Sequence, residues 1–183
     1  MTLAFKFIIQ TLAQLYLLLY LLRFWLPLVR ADFRNPIAQG ILRFTSPLII
    51  PVRRFVPPIG RIDTATVLVT FAMQCLIVFV LSKIDSRSYD ALAIAWLALL
   101  ELTILSLNLF FFAIIIRIIL SWIAPQSYNP IVALTGSIAE PVLRPFRRFI
   151  PPIGGLDISP IFAIVLLQAG VIWLQTLKPL FVR

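Results

Sequence analysis

Four long apolar stretches dominate the chain, from about Leu3 to Val29, Thr64 to Ser82, Ala91 to Ile123 and Ser159 to Leu177. Each approaches or exceeds the roughly twenty residues that a helix needs to cross the hydrocarbon core of a bilayer. None has the apolar–polar alternation of a membrane barrel strand, so helices are predicted, with their backbone groups satisfied internally. The third stretch is too long for one perpendicular crossing. It must tilt, or carry its ALAIAW start beyond the hydrocarbon.

The polar positions between the spans repeat. Sliding the chain by 94 residues places Arg23 on Arg117, Asn35-Pro36 on Asn129-Pro130, and Pro47 and Pro51 on Pro141 and Pro145. The same shift places Arg53-Arg54-Phe55 on Arg147-Arg148-Phe149, Pro57-Pro58-Ile59-Gly60 on Pro151-Pro152-Ile153-Gly154, and Asp63 on Asp157, with no gap. A match of this length marks a tandem duplication. The units are residues 1–89 and 90–183, each read as helix, long loop, helix. An even number of spans per unit makes the copies parallel, which excludes the inverted repeats common in alternating-access transporters. The predicted fold is all-α: a polytopic membrane protein with four transmembrane helices in two parallel tandem repeats.

The long loops are too rich in proline for one long helix and too apolar to float in water. Asn35-Pro36 and Asn129-Pro130 are helix starts, with asparagine as cap and proline at the first helical position. Pro141 is expected to open a second short helix, with Pro145 in its first turns. Phe146, Phe149 and Ile150 lie beside Arg144, Arg147 and Arg148, the composition of an amphipathic segment in the headgroup plane. The Pro-Pro pairs stop the helix, Gly60 and Gly154 permit a sharp reversal, and Asp157 can cap the returning span. Arg53, Arg54, Arg144, Arg147 and Arg148 are therefore candidates to bind anionic lipid headgroups or a protein partner, cytoplasmic or membrane-embedded, with self-association as a further option.

The series Asn-Pro, Pro, Arg-Arg, Pro-Pro, Ile-Gly, Asp, present twice, resembles the signature of the YggT family, related to YlmG-type proteins of plastids and Gram-positive bacteria. The two-unit form is similar to proteobacterial members. The first copy departs from the pattern where Arg61 replaces Gly155 and Thr64-Ala65-Thr66 replaces Ile158-Ser159-Pro160. The resemblance implies a bacterial inner-membrane protein without a settled activity. Different relatives are linked to cell division and nucleoid placement, osmotic tolerance and ion uptake, and cytochrome assembly in plastids.

Composition fits a membrane protein: 61% of residues are hydrophobic, against about half in soluble domains. The formal charge of +9 is read as contact with anionic lipid rather than nucleic acid, because the basic residues flank apolar spans. The two loops hold nine Lys and Arg residues and the opposite side five, which predicts cytoplasmic loops and periplasmic termini. Trp25 and Trp122 would then mark the inner interface, and Trp96 and Trp173 the outer one.

Polar groups inside spans usually face the bundle interior. Gln14 matches Asn108 and Gln74 matches Gln168 in the repeat, and counting from the loop side puts all four about 13–16 Å deep. They serve either as hydrogen-bonding glue between helices or as the lining of a polar route for water or a cation. Arg23 and Arg117 end the first span of each unit while Asp63 and Asp157 begin the second, so Arg23–Asp63 and Arg117–Asp157 contacts are expected, with snorkelling to phosphates as the alternative. Lys6 and Glu101 lie within one position of each other in register and are expected to pair across units. Unpaired, Glu101 would be a proton or cation ligand. The chain has no histidine, one cysteine and seven scattered acids, so no catalytic constellation, metal site or cofactor site is predicted. The role expected is a non-enzymatic scaffold or assembly factor, with an ion or osmolyte conduit as the alternative.

Overall fold

The computed structural model describes residues 2–123, 129–150 and 157–178, all-α and without a strand among them. Helices α1 (Thr2–Leu28), α3 (Thr64–Ile84), α4 (Ala91–Ile123) and α6 (Ser159–Leu177) are each long and apolar enough to span a membrane. The loops fold as α2 (Pro36–Arg53) and α5 (Pro130–Phe149). Both loop helices start as the sequence predicts. The Asn35 side chain accepts from the Ile37 amide and the Asn129 side chain from the Ile131 amide, each at 2.9 Å, with proline in the first helical position.

The expected break at the inner prolines does not occur. Helix α2 continues through Pro47 and Pro51, and α5 through Pro141 and Pro145. All four prolines lie on the exposed side, where a carbonyl freed by a missing N–H can find other donors. The opposite side is packed: α2 buries Ala38, Ile41, Thr45 and Ile49, and α5 buries Leu134, Thr135, Ile138, Ala139 and Leu143. That one-sided burial overrides the low helix propensity of proline.

After α2 the chain reverses at Gly60, whose φ of 60° lies in the left-handed region, while Ile59 and Ile62 exchange two backbone hydrogen bonds of 3.0 Å. No atom crowds the place a Cβ would take, so conformation rather than space calls for glycine. The Thr64 hydroxyl donates to the Pro57 carbonyl at 2.6 Å, closing the turn over Pro57-Pro58. The corresponding Pro151, Pro152 and Gly154 lie outside the described residues.

Each half packs on itself: α1 against α2 and α3, α4 against α5 and α6. One small cluster joins Tyr20, Ile49, Ala65 and Val69; another joins Ile114, Ala139, Leu143 and Ala163. Tyr20 and Ile114, Ile49 and Leu143, and Val69 and Ala163 are each 94 residues apart. The halves meet through α3–α4, α1–α4 and α2–α5 contacts, over a shared core that includes Leu21, Leu26, Leu109, Phe110, Leu134 and Ile138. Trp25 packs, half-buried, against this core. Its ring meets Phe110 edge-on at 4.8 Å and its Nε1–H donates to Ser106 at 3.3 Å. Large apolar side chains such as Phe7, Leu12, Leu76, Phe112 and Leu166 point outward, as a bilayer solvent requires.

Candidate functional site

Where three helices of the first half converge, Arg23 near the end of α1 is only 5% exposed. Its Nη1 donates to the Leu42 carbonyl at 3.1 Å, the Thr45 hydroxyl at 2.9 Å and the Ser46 hydroxyl at 3.0 Å, all on α2. Its Nε stands 3.8 Å from Asp63 Oδ2, so the expected Arg23–Asp63 contact forms. Asp63 precedes α3 without capping it through its side chain. Its Oδ2 instead accepts from Arg53 and, at 2.6 Å, from the Thr66 hydroxyl. Burial pushes the Asp63 carboxyl up, but the Thr66 hydroxyl, Arg53 and Arg23 outweigh it and hold the group below the usual carboxylate range. Arg23 Nε and Asp63 Oδ1 are buried without hydrogen-bond partners.

The second half builds a related cluster with different partners. Arg117 Nη1 donates to the Gly136 carbonyl at 3.3 Å and to Glu140 Oε2 at 2.8 Å. Arg147 Nη1 reaches the same carboxylate at 3.1 Å, while its Nε donates to Asp157 Oδ2 at 2.8 Å. The expected Arg117–Asp157 pair is therefore replaced, because Glu140 occupies Arg117 and Arg147 occupies Asp157. Asp157 also accepts from the Ser159 amide at the start of α6 at 3.0 Å, although Ile158 holds the cap position. Burial raises the Glu140 carboxyl, and hydrogen bonding and charge from Arg117 and Arg147 bring it below its ordinary value. At Asp157 burial is likewise outweighed, by Ser159 and Arg147.

The two clusters share a register: Leu42 and Gly136, Ser46 and Glu140, and Arg53 and Arg147 are each 94 apart. Arg53 and Arg147 are thus held in ion pairs at the edge of the fold, with side chains 44% and 36% exposed. Arg54, Arg144 and Arg148 are exposed, and among the described residues none of the three forms an ion pair. Phe55 and Phe149, next to Arg54 and Arg148, are 86% and 84% exposed. Each Arg-Arg-Phe phrase divides its labour, the first arginine paired with an acid and the next two side chains standing exposed. The recurring spacing of ten residues, Arg53 to Asp63 and Arg147 to Asp157, is the sequence signal for the inner pair, and Glu140 opposite Ser46 is the signal that the copies differ.

The four amides do not share one cavity. Gln14 and Asn108 line a cleft of about 370 Å³ between α1, α4 and α5, together with Thr11, Thr135, Leu18 and Phe112. Gln74 is buried on α3 and Gln168 half-buried on α6, and neither lines that cleft. Among the described residues none of the four makes a side-chain hydrogen bond. At the end away from the loops, Lys6 pairs with Asp85 at 2.5 Å and Lys178 with Glu101 at 2.6 Å. These replace the expected Lys6–Glu101 pair, because α1 packs closely on α3 and α4 on α6, so each unit supplies its own counter-ion. The two pairs lie within one position of register and have opposite polarity.

The family model described as CCB3/YggT matches residues 2–84 and 96–177. The chain is 46% identical over 164 residues to "Uncharacterized protein PA0392" of Pseudomonas aeruginosa, covering 88% of this chain and 83% of that one. It is 35% identical over 162 residues to "Uncharacterized protein YggT" of Escherichia coli strain K12, covering 88% and 84%. A 63-residue match at 41% identity links it to "YlmG homolog protein 2, chloroplastic" of Arabidopsis thaliana, covering 34% of this chain and 25% of that one. No solved structure matches it significantly.

Proposed function

We infer the role of this chain from the premise that it belongs to the CCB3/YggT family. It is a membrane protein, and the reading best supported is a non-enzymatic scaffold or assembly factor of the bacterial inner membrane. Its loop helices face the cytoplasm, its termini the periplasm, and its working surface is the pair of outward edges Arg54-Phe55 and Arg148-Phe149. One observation carries this reading. In both halves a cation and an aromatic ring stand exposed beside an arginine that is tied down, which holds the edge rigid for a partner. Arginine and aromatic side chains are the residues that anchor protein interfaces. Anionic headgroups meet the same guanidinium groups. Cell division or envelope organisation is the process proposed.

The acids support a non-enzymatic reading because all seven are engaged. Asp32 and Asp90 accept from backbone amides, Asp85 and Glu101 pair with lysines, and Asp63, Glu140 and Asp157 pair with arginines. The test is photo-crosslinking in native membranes from probes placed at Phe55 and Phe149. Adducts to a discrete protein are expected; recovery of lipid alone removes the scaffold role of these edges.

The cleft that Gln14 and Asn108 line supports a second reading, a part in ion or osmolyte passage. Liposomes containing the purified chain would then pass potassium or sodium, and an absence of flux would eliminate it.

A further inference from the structure

The two guanidinium clusters use the same register yet differ in charge. In the second, Arg117 and Arg147 are balanced by Glu140 and Asp157, and the Glu140 carboxylate bridges both guanidinium groups at 2.8 and 3.1 Å. In the first, Ser46 stands where Glu140 does, and Asp63 alone faces Arg23 and Arg53. One positive charge is left over at a place where Arg23 is 5% exposed and its Nε lacks a hydrogen-bond partner. A buried guanidinium without its full complement of acceptors is costly. The chain holds no spare acid to supply them, since the other six are bonded elsewhere.

We propose that the first cluster is an anion site, in which a phosphate group seats over Ser46 and bridges Arg23 and Arg53 as Glu140 bridges Arg117 and Arg147. The Arg53 side chain is 44% exposed, so the cluster is open to an entering anion. Serine at this position puts no carboxylate between the two arginines, and its hydroxyl accepts from Arg23 while donating to the Leu42 carbonyl. Guanidinium pairs suit the spread oxygens of phosphate better than a point charge does. Asp63 keeps its bonds to Arg53 and Thr66 and faces the same pair of arginines, so the anion meets one net positive charge and binds with modest affinity. The phosphate belongs either to a lipid headgroup or to a free anion. This site is separate from the outward edges at Arg54 and Arg148 and does not depend on their role.

The experiment uses the purified full chain in phosphatidylcholine nanodiscs titrated with inorganic phosphate, beside nanodiscs of phosphatidylcholine mixed with phosphatidylglycerol. Bound phosphate per chain and the unfolding temperature are read for wild type, Ser46→Glu and Glu140→Ser. Ligand at about 100 times its Kd raises the unfolding temperature of wild type by about 5 °C or more. Ser46→Glu supplies the carboxylate from within and lowers apparent affinity by about tenfold or more. Glu140→Ser opens the second cluster and doubles the phosphate bound. Loss of the inorganic phosphate response in Ser46→Glu supports a free anion, and loss of a response seen only with phosphatidylglycerol supports a headgroup. The proposal is overturned if wild type responds to neither probe, or if Ser46→Glu responds as wild type does. Should Ser46→Glu fail to fold, unchanged stoichiometry in Glu140→Ser overturns it.

Discussion

In the first half the arginine at the loop-side end of the spanning helix is buried and shares one acid; in the second it is half-exposed and its cluster has two. Arg23 and Asp63 have side chains 5% and 10% exposed, whereas Glu140 and Asp157 are 46% and 38% exposed. The same three-helix junction is thus built once around a dry knot of Arg23 and Asp63, with Arg53 at its open edge, and once as a wet ladder. In a dry knot each lost partner strands a charge, and in a wet ladder solvent and headgroups take its place. The difference teaches that duplicated residues need not carry duplicated energies, because position 46 against position 140 decides how the arginines are balanced.

The largest expected effect comes from removing the buried acid. Asp63→Asn leaves Arg23 and Arg53 unbalanced and costs about 3–5 kcal/mol, whereas Asp157→Asn costs about 1 kcal/mol or less. Denaturation of the two variants in the same lipid measures the gap, and equal losses would dissolve the contrast between the halves.

Acid sharpens the comparison next. All three carboxyls titrate below their ordinary values, so the stability they contribute is fully present above about pH 4–5 and is lost as pH falls through their lowered pKa values. Unfolding temperature is expected to fall below that range in wild type and to fall less steeply in Asp63→Asn than in Asp157→Asn. An identical slope in both variants would mean that Asp63 carries no special share.

The pairs at the far end are a weaker test. Lys6→Glu costs about 0.5–1 kcal/mol and the double exchange Lys6→Glu with Asp85→Lys restores most of it. A double exchange no better than the single one would show the pair contributes nothing. The smallest stability effect belongs to Arg54→Gln with Arg148→Gln, within about 0.5 kcal/mol, because neither side chain is bonded to another of the described residues. A larger loss on unfolding these two variants would place the side chains inside the structure.

Much of the architecture is legible in the sequence because it rests on signals that act locally. Hydropathy alone marks α1, α3, α4 and α6, and Asn-Pro marks the starts of α2 and α5 without knowledge of any neighbour. Continuity through Pro47, Pro51, Pro141 and Pro145 is not legible, since it depends on what the buried faces of α2 and α5 pack against. Partner choice is likewise a tertiary matter. Arg23 and Asp63 meet as their positions suggest, but Arg117 turns to Glu140, two helical turns before Arg147, and only the fold reveals that one carboxylate serves both arginines. Lys6 and Glu101 match in height yet pair within their own units, because height along a helix does not say which helix is beside it.

The outward edges are the centre of the functional reading, and purification from native membranes tests them most directly. Wild type is expected to bring down a partner that the Arg54→Gln and Arg148→Gln double variant loses, with both chains present in the membrane in equal amounts. The same set of proteins recovered with both chains would contradict it.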